Sequence, residues 1–292
     1  MKQRILTAVL LSCCLLPVLF LSGTVFFPIV VALFSLFAVY EMLFCLGTLK
    51  RLAISVPILS FALLLPLLLF FFGNIEGLFF SVSDLQSRAL FLLLVFSLFV
   101  LLMFYLFAVA VFARRTLSFS ELAASYLSSF YVITSFLAIL LIRYGEHGHL
   151  YYLLCLIGPW VTDIFAYFTG YFFGKHKLIP EISPKKTVEG SIGGMLFCVI
   201  AFLCFGFFAQ RETGTAPDYV LLGVLGLLVS VLSQIGDLFA SLLKRERGIK
   251  DFGNIFPGHG GIMDRFDSVL AVCPLLLIVC TVDSLLAVNL LL

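Results

Sequence analysis

Long apolar segments alternate with short polar stretches along the whole chain. Nine of these segments come close to the roughly 20 residues that an apolar helix needs to cross a lipid bilayer. They lie near 4–22, 25–48, 52–72, 88–112, 121–142, 151–173, 191–210, 219–243 and 268–291. The pattern predicts an all-α polytopic integral membrane protein with about nine transmembrane helices. The second segment carries one acidic residue, Glu41, and no internal repeat relates the segments to one another.

The composition agrees with this architecture. The 292 residues are 62% hydrophobic and 12% charged, whereas about 25% of the residues of a typical soluble domain are charged. The net charge of +2 is too small to indicate a nucleic-acid partner. The eight cysteines all lie in apolar runs without zinc-ligand spacing, so we interpret them as small apolar residues rather than as disulfides or metal ligands.

Basic residues predict the orientation of the chain, because cytoplasmic loops of membrane proteins carry an excess of Lys and Arg. If the N-terminus is cytoplasmic, nine spans place fifteen of the 18 basic residues on the cytoplasmic side. The N-terminal segment resembles a secretory signal, but another apolar run follows it directly, so we expect it to remain as the first helix. Two long hydrophilic loops, 174–190 and 244–267, then both face the cytoplasm.

In the second half of the chain, acidic side chains occur inside or at the ends of three segments, where a charged group is costly and indicates function. They lie on helix faces that also carry other polar groups. The residues concerned are Asp163 and Tyr167 in the sixth segment, Asp237, Ser241 and Lys244 in the eighth, and Asp264 and Asp267 at the start of the ninth.

The stretch 244–267 adds basic residues and glycines to these acids. The spacing predicts that Asp237, Asp264 and Asp267 converge on one cytoplasmic mouth, where clustered carboxylates favour Mg²⁺. Basic groups suit phosphate oxygens, and the GHGG segment allows the backbone to approach a ligand closely. These additional candidates are Lys244, Arg245, Lys250, Arg265, His259, Gly260 and Gly261. Such a set indicates phosphoryl or nucleotidyl transfer; a polar loop that merely caps two helices explains the basic residues but not the intramembrane acid.

The loop 174–190 places two lysines beside a glycine-rich helix start, where unpaired backbone N–H groups favour an anion. Its candidate residues are Ser183, Lys185, Lys186 and Thr187. A loop that is basic only because it faces the cytoplasm explains the lysines equally well, and both interpretations stay open at this point.

The segment from Ser241 to Asp267 resembles the signature of the phosphatidate cytidylyltransferases, which runs S-x-x-K-R, K-D, P-x-H-G-G and D-R-x-D. Two upstream elements of that family also match in order: D-x-x-A-Y-x-x-G from Asp163 to Gly170, and S-P-K-K-T-x-E-G from Ser183 to Gly190. The specific resemblance covers residues 155–270. The first 150 residues share only their hydrophobic character, so no chemistry is assigned to them.

The resemblance implies that the cytidylyl group of CTP is transferred to phosphatidic acid, giving CDP-diacylglycerol and pyrophosphate in phospholipid biosynthesis. It implies Mg²⁺ as cofactor and is compatible with a homodimer. The sequence shows no transit peptide or long hydrophilic N-terminal extension, and we therefore expect a multi-pass position in the inner (cytoplasmic) membrane of a bacterium. The catalytic residues would be Asp237, Asp264, Lys244, Arg265 and His259, and the metal ligands Asp237 and Asp264, with Asp267 and Asp163 as further candidates. His259 would orient a phosphate rather than abstract a proton, because the attacking phosphate is already ionised. The substrate-binding residues would be Ser241, Arg245, Lys250, Asp251, Gly260, Gly261, Ser183, Lys185, Lys186, Thr187, Asp163 and Tyr167.

These expectations divide the chain into an N-terminal transmembrane region, 1–150, and a catalytic half, 151–292. A CTP-dependent polyprenol or dolichol kinase is the nearest alternative, and it would release CDP instead of pyrophosphate. A CDP-alcohol phosphatidyltransferase is disfavoured because its DGxxAR pattern is missing. An ion-coupled transporter could also carry intramembrane acids, but it would more usually show two related halves.

Overall fold

A computed structural model describes residues 17–74, 85–113, 118–145, 147–256, 258 and 260–286. Most of the first predicted segment, 4–22, lies outside the described residues. His259, which the resemblance assigns to the catalytic site, also lies outside them.

Within the part of the chain that the structure describes, eight long α-helices follow one another, interrupted by one short hairpin. The helices are α1 (Phe26–Leu46), α2 (Leu52–Asn74), α3 (Leu85–Phe112), α4 (Phe119–Arg143), α5 (Gly148–Phe173), α6 (Val188–Thr213), α7 (Tyr219–Glu246) and α8 (Met263–Leu286). All eight are long and apolar enough to cross a membrane. They correspond to the second to ninth predicted segments, so the polytopic all-α architecture is confirmed. The cytoplasmic N-terminus stays a prediction.

Local sequence signals set several helix ends. Gly47 ends α1 in the left-handed conformation, with φ of 78°, which a residue without Cβ adopts readily. Ser118 and Glu121 form a reciprocal capping box at the start of α4. Thr187 caps α6, because its hydroxyl accepts a hydrogen bond from the Gly190 N–H at 3.1 Å.

The predicted loop 174–190 contains an antiparallel hairpin of β1 (Lys177–Ile179) and β2 (Ser183–Thr187). Lys177 is opposite Thr187, and Ile179 is opposite Ser183. The Val188 N–H donates to the His176 carbonyl at 2.9 Å, so the hairpin leads directly into α6.

The chain forms two compact units. The first comprises Met1–Tyr144 and Arg247–Phe266, and α1 packs in it against α2 and α4. The second comprises Gly145–Glu246 and Asp267–Leu292, and α6 packs in it against α5 and α7. The functional division at residue 150 stays a prediction.

Candidate active site

Small residues bring α5 and α6 of the second unit into close contact. A Cβ atom added at Gly190 would lie 2.6 Å from the Ala166 carbonyl oxygen and 3.2 Å from the Gly170 Cα. Only a residue without a side chain fits such a crossing, as is common between helices in membranes. The close contact places the capped start of α6, at Thr187, directly beside Gly170 of α5.

A cavity of about 520 Å³ opens where α5, the hairpin, α6 and α7 meet. Most of its polar lining comes from α5, from the hairpin and from the polar face of α7. The lining residues are Asp163, Ala166, Tyr167, Gly170, Tyr171, Gly174, Lys177, Leu178, Lys185, Lys186, Thr187, Gly190, Ser191, Gln234 and Asp237. Its size lies within the range of small-molecule sites.

Opposite charges meet in this cavity. The Lys186 ammonium forms an ion pair with the Asp237 carboxylate, and each side chain is 27% exposed. Lys177 and Lys185 add two further positive charges, and Asp163 adds one negative charge. The lining as a whole therefore carries one more positive than negative charge, which favours an anionic ligand.

Asp267 and Ser268 of the second unit connect with the carboxylates of the cavity. Asp267 is buried and accepts hydrogen bonds from the Ser268 N–H at 2.8 Å and from the Ser268 hydroxyl at 3.2 Å. The same hydroxyl also lies 3.2 Å from the Asp163 carboxylate, so its single hydrogen is shared between the two acids. Asp163, Asp237 and Asp267 are near enough to interact electrostatically, with Lys186 and Lys244 as their cationic neighbours. Asp163 thus joins the carboxylates of α7 and α8 more closely than its place in the sequence suggests.

Two tyrosines flank the charged part of the cavity. The rings of Tyr167 and Tyr171, one turn apart on α5, are stacked with centroids 6.3 Å apart and an interplanar angle of 21°. A stacked aromatic surface next to basic residues suits a planar base or the edge of a lipid headgroup.

In the first unit, the signature segment folds around its own carboxylate. Asp264 Oδ2 accepts hydrogen bonds from the Phe252 N–H at 2.8 Å and the Gly261 N–H at 2.9 Å. The Phe256 N–H donates to the Gly260 carbonyl at 2.9 Å. Gly260 has a φ of 81°, and a Cβ there would lie 2.8 Å from Asp264 Oδ2. Both the left-handed backbone and the lack of space for a side chain therefore require glycine.

A residue that sequence reasoning gave no role holds the same segment from α1. Glu41 is only 2% exposed, and its two carboxylate oxygens accept hydrogen bonds from the Ile262 N–H at 3.1 Å and the Met263 N–H at 2.8 Å. The available signal was its charge inside an apolar segment, the same signal that drew attention to Asp163 and Asp237.

The predicted site residues of the second unit fall into two groups. Asp163, Tyr167, Lys185, Lys186, Thr187 and Asp237 line the cavity. Ser183, Ser241, Lys244, Arg245 and Asp267 are not among the lining residues. The Arg245 Nε–H donates to the Ile182 carbonyl at 3.5 Å, beside the hairpin. The sequence pattern predicts neither Lys177 nor Ser191 as a site residue. It does not show the hairpin that presents Lys177 or the way in which the start of α6 presents Ser191.

The predicted site residues of the first unit belong to one continuous segment. Lys250, Asp251 and Arg265 are exposed, whereas Gly260 and Gly261 are buried. Asp264 is engaged by the backbone of its own loop, as described above.

The donor chemistry suits a hard cation. In the described part of the chain, no three side chains of His, Cys, Asp or Glu are grouped so that they could hold one metal ion. Mg²⁺, however, is commonly bound by one or two carboxylates together with substrate phosphates and waters. Asp237, which faces the cavity, and the neighbouring Asp163 provide oxygen ligands of that kind.

Comparison with known proteins places the chain in a family. The cytidylyltransferase family model matches residues 2–283. A Bacillus subtilis protein named phosphatidate cytidylyltransferase is 36% identical over 282 residues, which cover 94% of this chain and 96% of the relative. Proteins of the same name from Staphylococcus aureus and Staphylococcus haemolyticus are 36% and 34% identical over 276 and 280 residues, covering 94% of this chain and 97% of each relative. The second unit contains a charged cavity, and the first contains a loop in which the Gly261 N–H binds the Asp264 carboxylate. The extent of the match shows that the chain belongs to the cytidylyltransferase family.

Proposed function

We propose that the chain transfers the cytidylyl group of CTP to phosphatidic acid at the cytoplasmic face of a bacterial cell membrane. The observation that carries this proposal is the Lys186–Asp237 ion pair inside a basic cavity within the membrane-spanning helices. A lipid substrate can reach such a cavity while it stays in the bilayer. CTP arrives from the aqueous side, and fifteen cytoplasmic basic residues in the predicted topology attract it.

The bond changes are those of an in-line displacement. A phosphate oxygen of phosphatidic acid attacks the α-phosphorus of CTP, and the bond from that phosphorus to the bridging oxygen of the β-phosphate breaks. CDP-diacylglycerol and pyrophosphate result. A phosphate monoester has its second pKa near 6, so the nucleophile is ionised at neutral pH and needs no general base. The protein must instead hold two anions together and offset their repulsion.

Lys186 and Asp237 are suited to this task because each neutralises the other before the substrates bind. When a nucleotide enters, Lys186 can turn to a phosphate oxygen while Asp237 accepts a cation, so neither charge is left unpaired in the cavity. Lys177 and Lys185 add further contacts to phosphate oxygens. Thr187 and the start of α6 favour negative charge beside them.

Magnesium is the cofactor that the carboxylates fit. Asp237 and Asp163 would hold it from the second unit, and Asp264 and Asp267 remain proposed ligands from the resemblance. When bound, it supplies a Lewis acid that withdraws charge from the phosphoryl oxygens. We further propose that Lys244, Arg245, Lys250 and Arg265 contact phosphates, with Ser241, Ser183, Asp251, Gly260 and Gly261 shaping the substrate contacts, and that His259 orients a phosphate.

The direct test uses purified full-length protein with CTP, phosphatidic acid and Mg²⁺, and it measures CDP-diacylglycerol and pyrophosphate together. Asp237→Asn should lose at least about a hundredfold in rate, a typical effect of removing one electrostatic contact to the transition state. Asp218→Asn is a matched control, because Asp218 caps the opposite end of α7, about 28 Å away along the helix, and Asn caps equally well.

Each outcome has a definite meaning. Equal formation of both products with wild-type protein supports the proposal, and CDP with a phosphorylated alcohol would identify a lipid kinase instead. Wild-type activity in Asp237→Asn would remove Asp237 from the site. Labelling of single cysteines introduced into the hairpin 177–187, in sealed cells and in inverted membranes, tests the cytoplasmic orientation. Cross-linking in native membranes tests the proposed homodimer.

A further inference from the structure

Glu41 of α1 holds the signature segment in place, although it lies more than 200 residues away in sequence. Its carboxylate accepts the N–H groups of Ile262 and Met263, and Asp264 accepts the N–H group of Gly261. Three consecutive backbone N–H groups at the start of α8 are therefore bound by two carboxylates. The N-terminal N–H groups of a helix have no partner within the helix and attract negative charge, so both carboxylates lie where the backbone favours them.

The shape of the segment also depends on Glu41. A Cβ atom at Gly253 or at Gly261 would overlap the Glu41 carboxylate. These two glycines lie near the two ends of the stretch between Phe252 and Met263, so the backbone approaches the carboxylate closely at both ends. Phe252, Ile262 and Met263 are each at most 2% exposed, and they fix the loop to the apolar core of the first unit.

A buried carboxylate inside an apolar helix is costly and therefore indicates a functional role. Each charge-assisted hydrogen bond to the segment is stronger than a neutral one. Asp264 and Arg265 follow within one turn of the two bound N–H groups, so the direction of α8 at its start sets the direction of both side chains.

We infer that Glu41 is a positioning residue of the active site, which fixes the backbone of residues 261–263 and the first turn of α8 for the transfer reaction. Glu41 contacts no substrate in this role; it acts through the backbone of residues 261–263. This inference rests on the proposed function, and it assigns part of the catalytic machinery to the N-terminal half of the chain.

The test compares Glu41→Gln with Glu121→Gln in the full-length protein. The Gln side chain preserves shape, but its NH₂ group would face a backbone N–H where the carboxylate accepted one. Glu121 is a matched control because it also accepts a backbone N–H, that of Ser118 at 3.1 Å, and pairs with Arg51 elsewhere in the same unit. We expect kcat of Glu41→Gln to fall about ten- to a hundredfold, as small misplacements of reacting groups do, with KM for CTP nearly unchanged, and kcat of Glu121→Gln to stay at the wild-type level.

Hydrogen exchange separates a positioning role from a general loss of stability. In Glu41→Gln, the amides of residues 261–263 should exchange faster while those of α2 and α4 keep their protection. An unchanged kcat in Glu41→Gln would overturn the inference, and so would an equal loss of kcat in both variants. Should Glu41→Gln fail to fold, Gly253→Ala decides: its Cβ presses on the carboxylate, so an unchanged kcat in this variant would also overturn the inference.

The same experiments distinguish the inference from the function on which it rests. If the wild-type protein makes no CDP-diacylglycerol, the proposed function fails. The exchange rates at residues 261–263 then still report whether Glu41 holds the segment, and unaltered exchange in Glu41→Gln would refute that contact independently.

Discussion

The Lys186–Asp237 pair leads to a prediction about a double variant that should recover stability but not activity. We consider three variants: Asp237→Asn, Lys186→Met and the double variant. Both substitutions nearly preserve side-chain size, so they remove charge with little change in packing. Each single variant leaves one charge without its partner in the cavity, whereas the double variant removes both charges.

The size of the effect follows from the partial burial of the pair. Exposed ion pairs contribute about 0.2–1 kcal/mol, and breaking a fully buried pair costs about 3–5 kcal/mol. With 27% of each side chain exposed, we expect each single variant to lose about 1–3 kcal/mol in the free energy of unfolding, the cost of an unsatisfied buried group. The double variant should regain most of that loss, with a coupling energy of about 1–3 kcal/mol.

Thermal unfolding of the purified protein in detergent measures the stability. In proteins of about 150–250 residues the thermal midpoint shifts by roughly 2–4 °C for each kcal/mol, and we expect shifts of similar size here. Product formation from CTP and phosphatidic acid measures the activity. We expect stability to recover in the double variant while activity stays lost, because in the proposed mechanism Lys186 contacts a phosphate and Asp237 holds a cation. Lys185→Met is the control, since Lys185 lines the same cavity without an ion pair to Asp237 in the structure; its effect on stability should add to that of Asp237→Asn.

Two results would refute this reasoning. Additive losses of stability for Lys186→Met and Asp237→Asn, within about 0.3–0.5 kcal/mol, would mean that the two side chains do not interact in the native protein. Recovery of activity in the double variant would mean that the pair only holds α7 to the hairpin and takes no part in the chemistry.

Two further predictions concern the helix crossing and the cation. Gly190→Ala should cost about 1–3 kcal/mol of stability, because its Cβ would lie 2.6 Å from the Ala166 carbonyl oxygen, whereas Gly223→Ala, whose Cβ would meet nothing closer than 3.8 Å, should be neutral or slightly stabilising; equal thermal midpoints for the two variants would contradict the crossing. Excess chelator should abolish product formation and the stabilisation of the protein by CTP, and added Mg²⁺ should restore both; full activity in chelator would exclude a required divalent cation.

The helices could be predicted from sequence because each is a continuous apolar run of sufficient length. The hairpin could not: β1 has only three residues, and β2 reads SPKKT without alternating apolar positions. Its strands are held by backbone pairing and by the passage into α6, which are not visible in a hydrophobicity pattern. The sequence pattern therefore gives no reason to place Lys177 at the site, although it lines the cavity.

Contacts between distant residues limited the prediction of the site. The charge rule for membrane segments identified Asp163 and Asp237 as candidates, but it did not predict that Asp237 pairs with Lys186 of the hairpin. Helix periodicity placed Asp264 and Asp267 on one face, but it did not predict that Asp264 accepts hydrogen bonds from Phe252 and Gly261. Both contacts depend on how loops fold back, and a single sequence does not record this.

Glu41 and Asp237 show how the same signal can mark two kinds of residue. Both are acidic residues in apolar helices, and the cost of burial requires a partner for each. The oxygens of Glu41 accept backbone N–H groups, which cannot move away without unwinding the start of α8. Asp237 pairs with a lysine side chain at a cavity wall, and a rotamer change can exchange that partner for a cation. A carboxylate such as Glu41, whose two oxygens both accept backbone N–H groups, therefore fixes geometry, whereas one bound by a side chain at a cavity remains available for chemistry. That difference in partners is the physical reason why we propose positioning for Glu41 and cation binding for Asp237.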